Sequence, residues 1–169
     1  MTVLKTERLS LSELTGEEAG FVFRLMNSKG WLQYIGDRGI RTIEDARQYI
    51  LNNTMKSYTE HGYGMYLVRT EQDQVPIGMC GLVRRNFLEY TDIGFAFLPE
   101  YNGKGYAFES ASAVLQYARE SLGMKKIIAI VNHDNQPSIR LIEKLGMQFE
   151  KTVPFPGEDT QIFQFSTAD

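Results

Sequence analysis

One stretch of the sequence, residues 95–109, constrains the fold of this chain more than any other. Phe95 and Phe97 alternate with small residues, which is the period-two pattern of a buried strand. Pro99 cannot donate to a strand ladder, so the strand should end before it. Alanine, valine and leucine then recur at helical spacing over residues 105–121. The stretch therefore predicts a strand, a turn and a helix in direct succession.

Gly103 and Gly105 lie in this turn, directly before the predicted helix. Glycine gives the backbone conformational freedom and removes side chains that would block a ligand. Unpaired N–H groups at a helix N-terminus form a site for phosphate, although a bare Gly-x-Gly often only makes a turn. A P-loop would need Ser or Thr after Lys104, and a dinucleotide-binding loop would need a third Gly or Ala where Phe108 stands. Both of these better-known phosphate loops are excluded.

The remaining patterns predict a single α/β domain over residues 1–169. Apolar alternation predicts strands over about 7–13, 65–70, 76–84, 90–98, 126–131, 147–153 and 161–165. Helices are predicted after a capping box at Thr15 and Glu18, from Thr42 with Asp45 until before Gly62, over 105–121 and over 137–145. The strands between 65 and 98 form an antiparallel meander, whereas the strand-helix-strand unit from 90 to 131 needs a right-handed crossover and makes the sheet mixed.

The composition restricts the type of protein and its compartment. At 169 residues the chain can bury a core without disulfides, and its only cysteine, Cys80, lies in an apolar strand and is predicted to fill the core. A single cysteine suits a reducing compartment. No signal peptide or membrane span is recognisable, so we expect a cytoplasmic protein. The net charge of −3, with dispersed Lys and Arg, argues against extended nucleic-acid binding.

The segment Glu100-Tyr-Asn-Gly-Lys-Gly105 resembles the acyl-CoA loop Gln/Arg-x-x-Gly-x-Gly/Ala of the GNAT N-acetyltransferase superfamily. Over nearly the whole chain, the sequence is similar to the Rim-type ribosomal-protein N-acetyltransferases. The similarity includes Thr6-Glu-Arg-Leu-x-Leu11, Ile35-Gly-Asp-Arg-Gly-Ile-Arg-Thr42 and Asn135-x-x-Ser-x-x-Leu-x-x-Lys-Leu-Gly146. One departure is Glu100, an acid near the expected pyrophosphate, so phosphate affinity should depend more on backbone amides and Lys104.

The resemblance implies a single-domain GNAT fold with a mixed, mostly antiparallel sheet of six or seven strands and about four helices. Two strands of this sheet splay apart and form the acyl-CoA cleft. The cosubstrate implied is acetyl-CoA, with no metal. Its pantetheine arm is expected to bind the strand edge at Phe95, Phe97 and Leu98. A backbone N–H near Phe95 or Phe97 is expected to stabilise the oxyanion of the reaction. The pyrophosphate is expected to bind Gly103, Lys104, Gly105, Tyr106 and Ala107. Asn135 is expected to contact the pantetheine arm, to cap a helix, or to do both.

Two residues are the candidates for proton transfer. Many GNAT enzymes place a tyrosine acid where Ile142 stands here, so the resemblance makes Ser138 the group that would hydrogen-bond the thiol sulfur. Ser138 could equally help the helix cap. Asp92 is the first candidate for a base that deprotonates the attacking amine, because such an amine is mostly ammonium at neutral pH. The alternative for Asp92 is a solvated strand carboxylate, and Glu109 could act as a base or complement the helix dipole.

The resemblance places the amine acceptor near the segment between the first two predicted helices. Trp31, Tyr34, Asp37 and Arg38 are the candidate substrate-binding residues, unless this segment is only a packed loop in which Asp37 pairs with Arg38. We therefore expect an N-acetyltransferase that acts on a primary amine, either a protein N-terminus or a small molecule, by direct attack in a ternary complex. The alternative is a non-catalytic acyl-CoA-binding or sensing module. A homodimer is common among such relatives.

Overall fold

The computed structural model describes residues 1–157 and 161–167, and one sheet runs through them. Its strands are β1 (Thr2–Lys5), β2 (Leu9–Glu13), β3 (Met65–Thr70), β4 (Pro76–Val83), β5 (Asp92–Phe97), β6 (Ile128–Asn132), β7 (Gln148–Val153) and β8 (Ile162–Ser166). The helices are α1 (Ala19–Met26), α2 (Lys29–Tyr34), α3 (Ile43–Tyr49), α4 (Met55–His61), α5 (Tyr106–Glu120) and α6 (Gln136–Lys144).

The strand order is β1-β2-β3-β4-β5-β6-β8-β7. Every neighbouring pair is antiparallel except β5 and β6, which are parallel. Helix α5 provides the crossover between these two strands, because parallel neighbours cannot be joined by a tight hairpin. The predicted single-domain α/β architecture with a mixed, mostly antiparallel sheet is thereby confirmed.

The strand and helix numbers are both slightly larger than predicted. The described residues form eight strands instead of six or seven. The strand that was not predicted is β1, a four-residue edge strand too short to give a clear alternation. The described residues form five helices if α3 and α4 are counted as one, since a π-helical turn over Ile50–Thr54 joins them. The additional helix is α2, which lies in the segment 28–41 that the sequence predicted to be irregular.

The predicted capping boxes are present. The Thr42 hydroxyl accepts the N–H of Asp45 at 3.0 Å, and the Asp45 carboxylate accepts the N–H of Thr42 at 3.1 Å. Thr15 and Glu18 make the same reciprocal pair, although the first turn after Thr15 is 3₁₀-helical and α1 proper begins at Ala19. These local signals define where the helices of the first half begin.

Apolar side chains pack on both faces of the sheet. On one face, α5 and α6 contribute residues such as Val114 and Ile142 to a core that includes Cys80. On the other face, α1 and α3 contribute residues such as Val22 and Ala46. Cys80 is completely buried, as predicted for a core residue, and burial raises the pKa of its thiol to about 12. None of the described helices is long and apolar enough to cross a bilayer.

Candidate active site

The strands β5 and β6 meet at one end only. Asp92 and Ile128 are paired, and the N–H of Ile128 donates to the carbonyl of Thr91 at 3.1 Å. No further pairing between β5 and β6 exists among the described residues, and β6 pairs instead with β8 along its whole length. The two strands therefore separate toward their carboxyl ends and leave the cleft that the sequence predicted.

The parity of β5 decides which backbone groups face this cleft. The carbonyl of Thr91 faces β6, so the N–H and C=O groups of residues 93, 95 and 97 face the same side. Phe95 and Phe97 lie beyond the Asp92–Ile128 pairing, so their amides form an open edge within the described part of the chain. The prediction that Leu98 belongs to this edge is wrong, because its N–H donates to the carbonyl of Ile77 at 3.0 Å.

The glycine-spaced turn follows β5 and a short 3₁₀ turn over Pro99–Tyr101. Gly103 and Gly105 have φ angles of 77° and 83°, a left-handed conformation that costs other residues energy. Gly105 is the N-cap of α5, and the N–H of Glu109 closes the first helical bond to its carbonyl at 3.0 Å. The amides of residues 105–108 precede that bond and have no intrahelical acceptor. They lie at the positive end of the helix dipole.

Two acids flank the turn, and each is paired with an arginine. Glu100 forms an exposed ion pair with Arg24 of α1. Glu109, in the first turn of α5, binds Arg8 and Thr6 from the turn between β1 and β2. Partial burial raises the pKa of Glu109, but the hydrogen bonds from Thr6 and Arg8 outweigh that effect and leave the pKa below its usual range. Both acids are therefore already partly neutralised next to the predicted phosphate site.

Asn135 and Ser138 lie where β6 leads into α6, on the other side of the cleft from β5. The Asn135 side-chain oxygen accepts the N–H of Ser138 at 3.3 Å, so Asn135 is the cap of α6. Ser138 is half-buried in the first helical turn, and Ile142 is fully buried one turn later. The cap function of Asn135 is observed directly, whereas contacts of both residues with a cofactor stay predictions.

Asp92 lies at the closed end of the cleft. Five residues of extended strand separate it from Phe97, which corresponds to roughly 16 Å. Asp92 is only 2% exposed, which contradicts the alternative that it is a solvated strand carboxylate. Arg85 Nε donates to Asp92 Oδ1 at 3.2 Å. Burial raises the pKa of Asp92 to about 6, and the charge and hydrogen bond of Arg85 limit that rise. At neutral pH this carboxylate is ionised and able to accept a proton.

The predicted acceptor segment is a short helix, α2, followed by an irregular stretch over residues 36–41. Trp31 lies on α2 and is 8% exposed, with no hydrogen-bond partner for Nε1 among the described residues. The alternative in which Asp37 pairs with Arg38 is contradicted, since Arg41 binds both oxygens of Asp37 at 2.8 and 2.6 Å. These bonds lower the pKa of Asp37 to about 2. Arg38 is exposed and Tyr34 is half-buried, so both are accessible.

A second concave region, which the sequence did not indicate, lies between the β4–β5 loop and the end of β7. This groove has a volume of about 620 Å³, and Phe87 and Phe155 meet across it with ring centroids 5.1 Å apart. The Arg85 guanidinium, which binds Asp92, lies 5.5 Å from the Phe155 ring centroid. Phe87 is 43% exposed. A phenylalanine within a predicted turn is the sequence signal that could have located this groove. No group of three His, Cys, Asp or Glu among the described residues could hold a metal ion.

Comparisons with known proteins agree with this geometry. A family model described as an acetyltransferase (GNAT) domain matches residues 8–148. The uncharacterised N-acetyltransferase YnaD of Bacillus subtilis (strain 168) is 30% identical over 156 residues, which are 89% of this chain and 88% of YnaD. The spermine/spermidine N(1)-acetyltransferase of the same organism is 24% identical over 157 residues, 91% of this chain and 97% of that enzyme.

Solved structures share the fold at lower sequence identity. RimL, a ribosomal L7/L12 α-N-protein acetyltransferase in complex with coenzyme A, superposes with a TM-score of 0.83 at 16% identity, covering 98% of this chain and 97% of RimL. The family model spans most of the chain, and the splayed strands and glycine turn have the arrangement that the resemblance implied. The chain therefore belongs to the GNAT acetyltransferase family.

Proposed function

We propose that this protein transfers the acetyl group of acetyl-CoA to a primary amine by direct attack in a ternary complex. The observation that carries the proposal is the continuity of the open β5 edge with the amides that begin α5. This edge can hydrogen-bond an extended amide-containing chain as an added strand would. The helix N-terminus next to it can bind phosphate. A pantetheine arm joined to a diphosphate has that sequence of groups, and the similar fold of RimL holds coenzyme A.

In the proposed complex, the diphosphate accepts hydrogen bonds from the amides between Gly103 and Ala107, with Lys104 and Tyr106 beside it. The pantetheine amides bind the edge at Phe95 and Phe97, and Asn135 contacts the arm from the α6 side. The thioester then lies toward the closed end of the cleft. Support for this direction comes from the position of the glycine turn at the open end and of Asp92 at the closed end.

The reaction forms a bond from the amine nitrogen to the thioester carbonyl carbon. A backbone N–H of Phe95 or Phe97 stabilises the oxyanion of the tetrahedral intermediate. When the carbon–sulfur bond breaks, Ser138 hydrogen-bonds the departing thiolate directly or through water. Asp92 accepts the proton that the amine loses, directly or through a water chain, and its pKa of about 6 keeps it available as a base at neutral pH.

The acceptor in this proposal is a protein N-terminus or a small-molecule amine, bound near Trp31, Tyr34, Asp37 and Arg38. Support for the first comes from RimL, an α-N-protein acetyltransferase, and support for the second from the spermine/spermidine N(1)-acetyltransferase. Thiol release measured with a panel of N-terminal peptides and with spermidine separates the two classes. A preference for one class, expressed as the ratio of kcat/KM, identifies the acceptor.

The first test is a calorimetric titration of the purified protein with acetyl-CoA, CoA, ATP and NADH, repeated with Gly105→Glu. Selective binding of acetyl-CoA and CoA that is abolished in the variant is expected, because the new carboxylate would repel the diphosphate. The left-handed φ of 83° also disfavours a side chain at this position. No binding by the wild-type protein, or equal binding of ATP, would overturn the assignment of the cosubstrate.

The alternative is an acyl-CoA-binding module without turnover, and it is favoured by the apolar Ile142 at the position of the usual tyrosine acid. The variants Ser138→Ala and Asp92→Asn distinguish the two functions. An enzyme should lose turnover in both variants while its CoA affinity is retained. If the wild-type protein binds acetyl-CoA but releases no thiol with any amine in the panel, the module is the better description.

A further inference from the structure

The turn between β1 and β2 is anchored to the beginning of α5, about one hundred residues away in the sequence. The Thr6 hydroxyl and the Arg8 backbone N–H both donate to Glu109 Oε2, the latter at 2.9 Å. Arg8 Nε donates to Glu109 Oε1 at 2.7 Å. Both carboxylate oxygens are therefore engaged, and the Arg8 side chain is fixed at its Nε end.

The rest of the Arg8 guanidinium lies over the glycine turn. Nη1 donates to the carbonyl of Lys104 at 3.1 Å, and Cζ lies 4.4 Å from the Tyr106 ring centroid. A Cβ atom added to Gly105 would lie 3.3 Å from Nη2. The side chain is nevertheless 43% exposed. A guanidinium group thus lies directly beside the amides at the start of α5, in a position accessible from solvent.

Most of the hydrogen-bonding capacity of this guanidinium remains available. Of its five N–H groups, the bonds to Glu109 and Lys104 use two, and those are its side-chain donor bonds within the described residues. The planar fork of arginine suits phosphate oxygens because it can donate two parallel hydrogen bonds. A side chain that is already anchored also loses little rotamer entropy when a ligand binds.

We propose that Arg8 binds the diphosphate of the acyl-CoA cosubstrate, and that Thr6 and Glu109 position its guanidinium over the glycine turn for this contact. The proposal rests on the proposed function, since it requires acetyl-CoA as the donor. It also accounts for the presence of two acids beside a phosphate site. Glu109 anchors an arginine there, and Glu100 is neutralised separately by Arg24. Nothing in the sequence alone connected Arg8 with the glycine turn.

A purely structural function for Arg8 makes a different prediction. If Arg8 only neutralises Glu109, removing both charges should leave the affinity for CoA unchanged. If Arg8 binds phosphate, the double variant Arg8→Gln/Glu109→Gln should stay as weak as Arg8→Gln alone. Loss of one or two charge-assisted hydrogen bonds is expected to weaken binding by about tenfold or more. The single variant Glu109→Gln should weaken binding less, because the guanidinium remains.

The experiment measures dissociation constants for acetyl-CoA, CoA and 3′-dephospho-CoA by calorimetry in the wild-type protein and these variants. Lys5→Gln is the matched control, because Lys5 lies on the same hairpin and is paired with Glu71, away from the turn. Arg8→Gln should weaken CoA and 3′-dephospho-CoA by the same factor, while Lys5→Gln changes neither. An effect of Arg8→Gln that disappears with 3′-dephospho-CoA would overturn the assignment to the diphosphate in favour of the 3′-phosphate.

Arg8→Lys separates a lost phosphate contact from misfolding of the glutamine variant. Lysine keeps the positive charge beside Glu109 but lacks the planar guanidinium that donates two parallel hydrogen bonds. The affinity of Arg8→Lys for CoA should fall several-fold, and wild-type affinity in this variant and in the double variant would refute the proposal. If the wild-type protein binds acetyl-CoA and the Arg8 variants bind it equally well, only this inference fails. If the wild-type protein binds no acetyl-CoA, the proposed function fails and this inference fails with it.

Discussion

Replacing Asp92 by asparagine should remove one defined contribution to the pH dependence of this protein's stability. Burial raises the pKa of Asp92 to about 6 in the folded state, whereas the ordinary value, expected in the unfolded chain, is 3.8. Because the folded pKa is the higher one, the folded state binds the proton more tightly. The stabilisation that this proton provides is complete below about pH 3.8 and is lost as the pH rises through about 6.

The size of this effect follows from the two pKa values. At about 1.4 kcal/mol per pKa unit, the difference corresponds to about 3 kcal/mol of unfolding free energy. About 2 kcal/mol of that falls between pH 4.5 and 7.5, where the unfolded-state carboxyl is already largely ionised. Solvent screens this effect little, because the Asp92 side chain is only 3% exposed.

The assay is urea unfolding of the wild-type protein and Asp92→Asn at pH values from 4.5 to 7.5, followed by the fluorescence of the single tryptophan, Trp31. The other carboxyl groups titrate in both proteins, so the difference between the two free energies reports Asp92. The wild-type protein should lose about 2 kcal/mol relative to the variant over this range. The variant Asp73→Asn, at an exposed position, is measured in parallel as the control for an Asp-to-Asn change. A difference that is flat with pH for Asp92→Asn would refute the reasoning.

Other predictions concern packing, helix propensity and catalysis. Gly81→Ala should destabilise the protein by about 2 kcal/mol or more in urea unfolding, since its Cβ would lie 2.2 Å from the carbonyl oxygen of Gly64. The matched change Gly20→Ala in α1 meets no atom within 4 Å and should instead stabilise by about 0.5–1 kcal/mol; a similar loss in both variants would contradict the packing argument. Arg85→Gln should raise the pH midpoint of kcat/KM, because Arg85 limits the rise in the pKa of Asp92. An unchanged profile would mean that Asp92 is not the base.

Much of the fold could be predicted because its signals are local. The alternation in β5, the two glycines before α5 and the capping box at Thr42 each specify a conformation within a few residues. The elements that escaped prediction, β1 and α2, are short and carry weak patterns. The conformation of β1 depends on its pairing with β2, and that of α2 depends on the packing of Trp31 in the core. Both are interactions between segments that lie apart in the sequence.

The candidate site was predictable only in part. Residue type and spacing identified Gly103, Gly105 and Asn135, because a turn and a cap need particular residues at particular places. Leu98 was assigned to the cleft edge although strand parity turns its N–H toward β4. The alternative pairing of Asp37 with Arg38 is also absent, since Arg41 lies four residues away and binds both carboxylate oxygens.

By itself, the sequence determined the strand-turn-helix at the centre of the chain and the resemblance to the GNAT family, because both depend on residues that are adjacent or regularly spaced. Only the tertiary structure decided the environment of each charge. It buries Asp92 beside Arg85 and joins Arg8 to Glu109 across 101 positions of sequence. Burial and long-range ion pairs arise when separate elements pack together, and their energies depend on distances and solvent exclusion that a linear pattern does not contain.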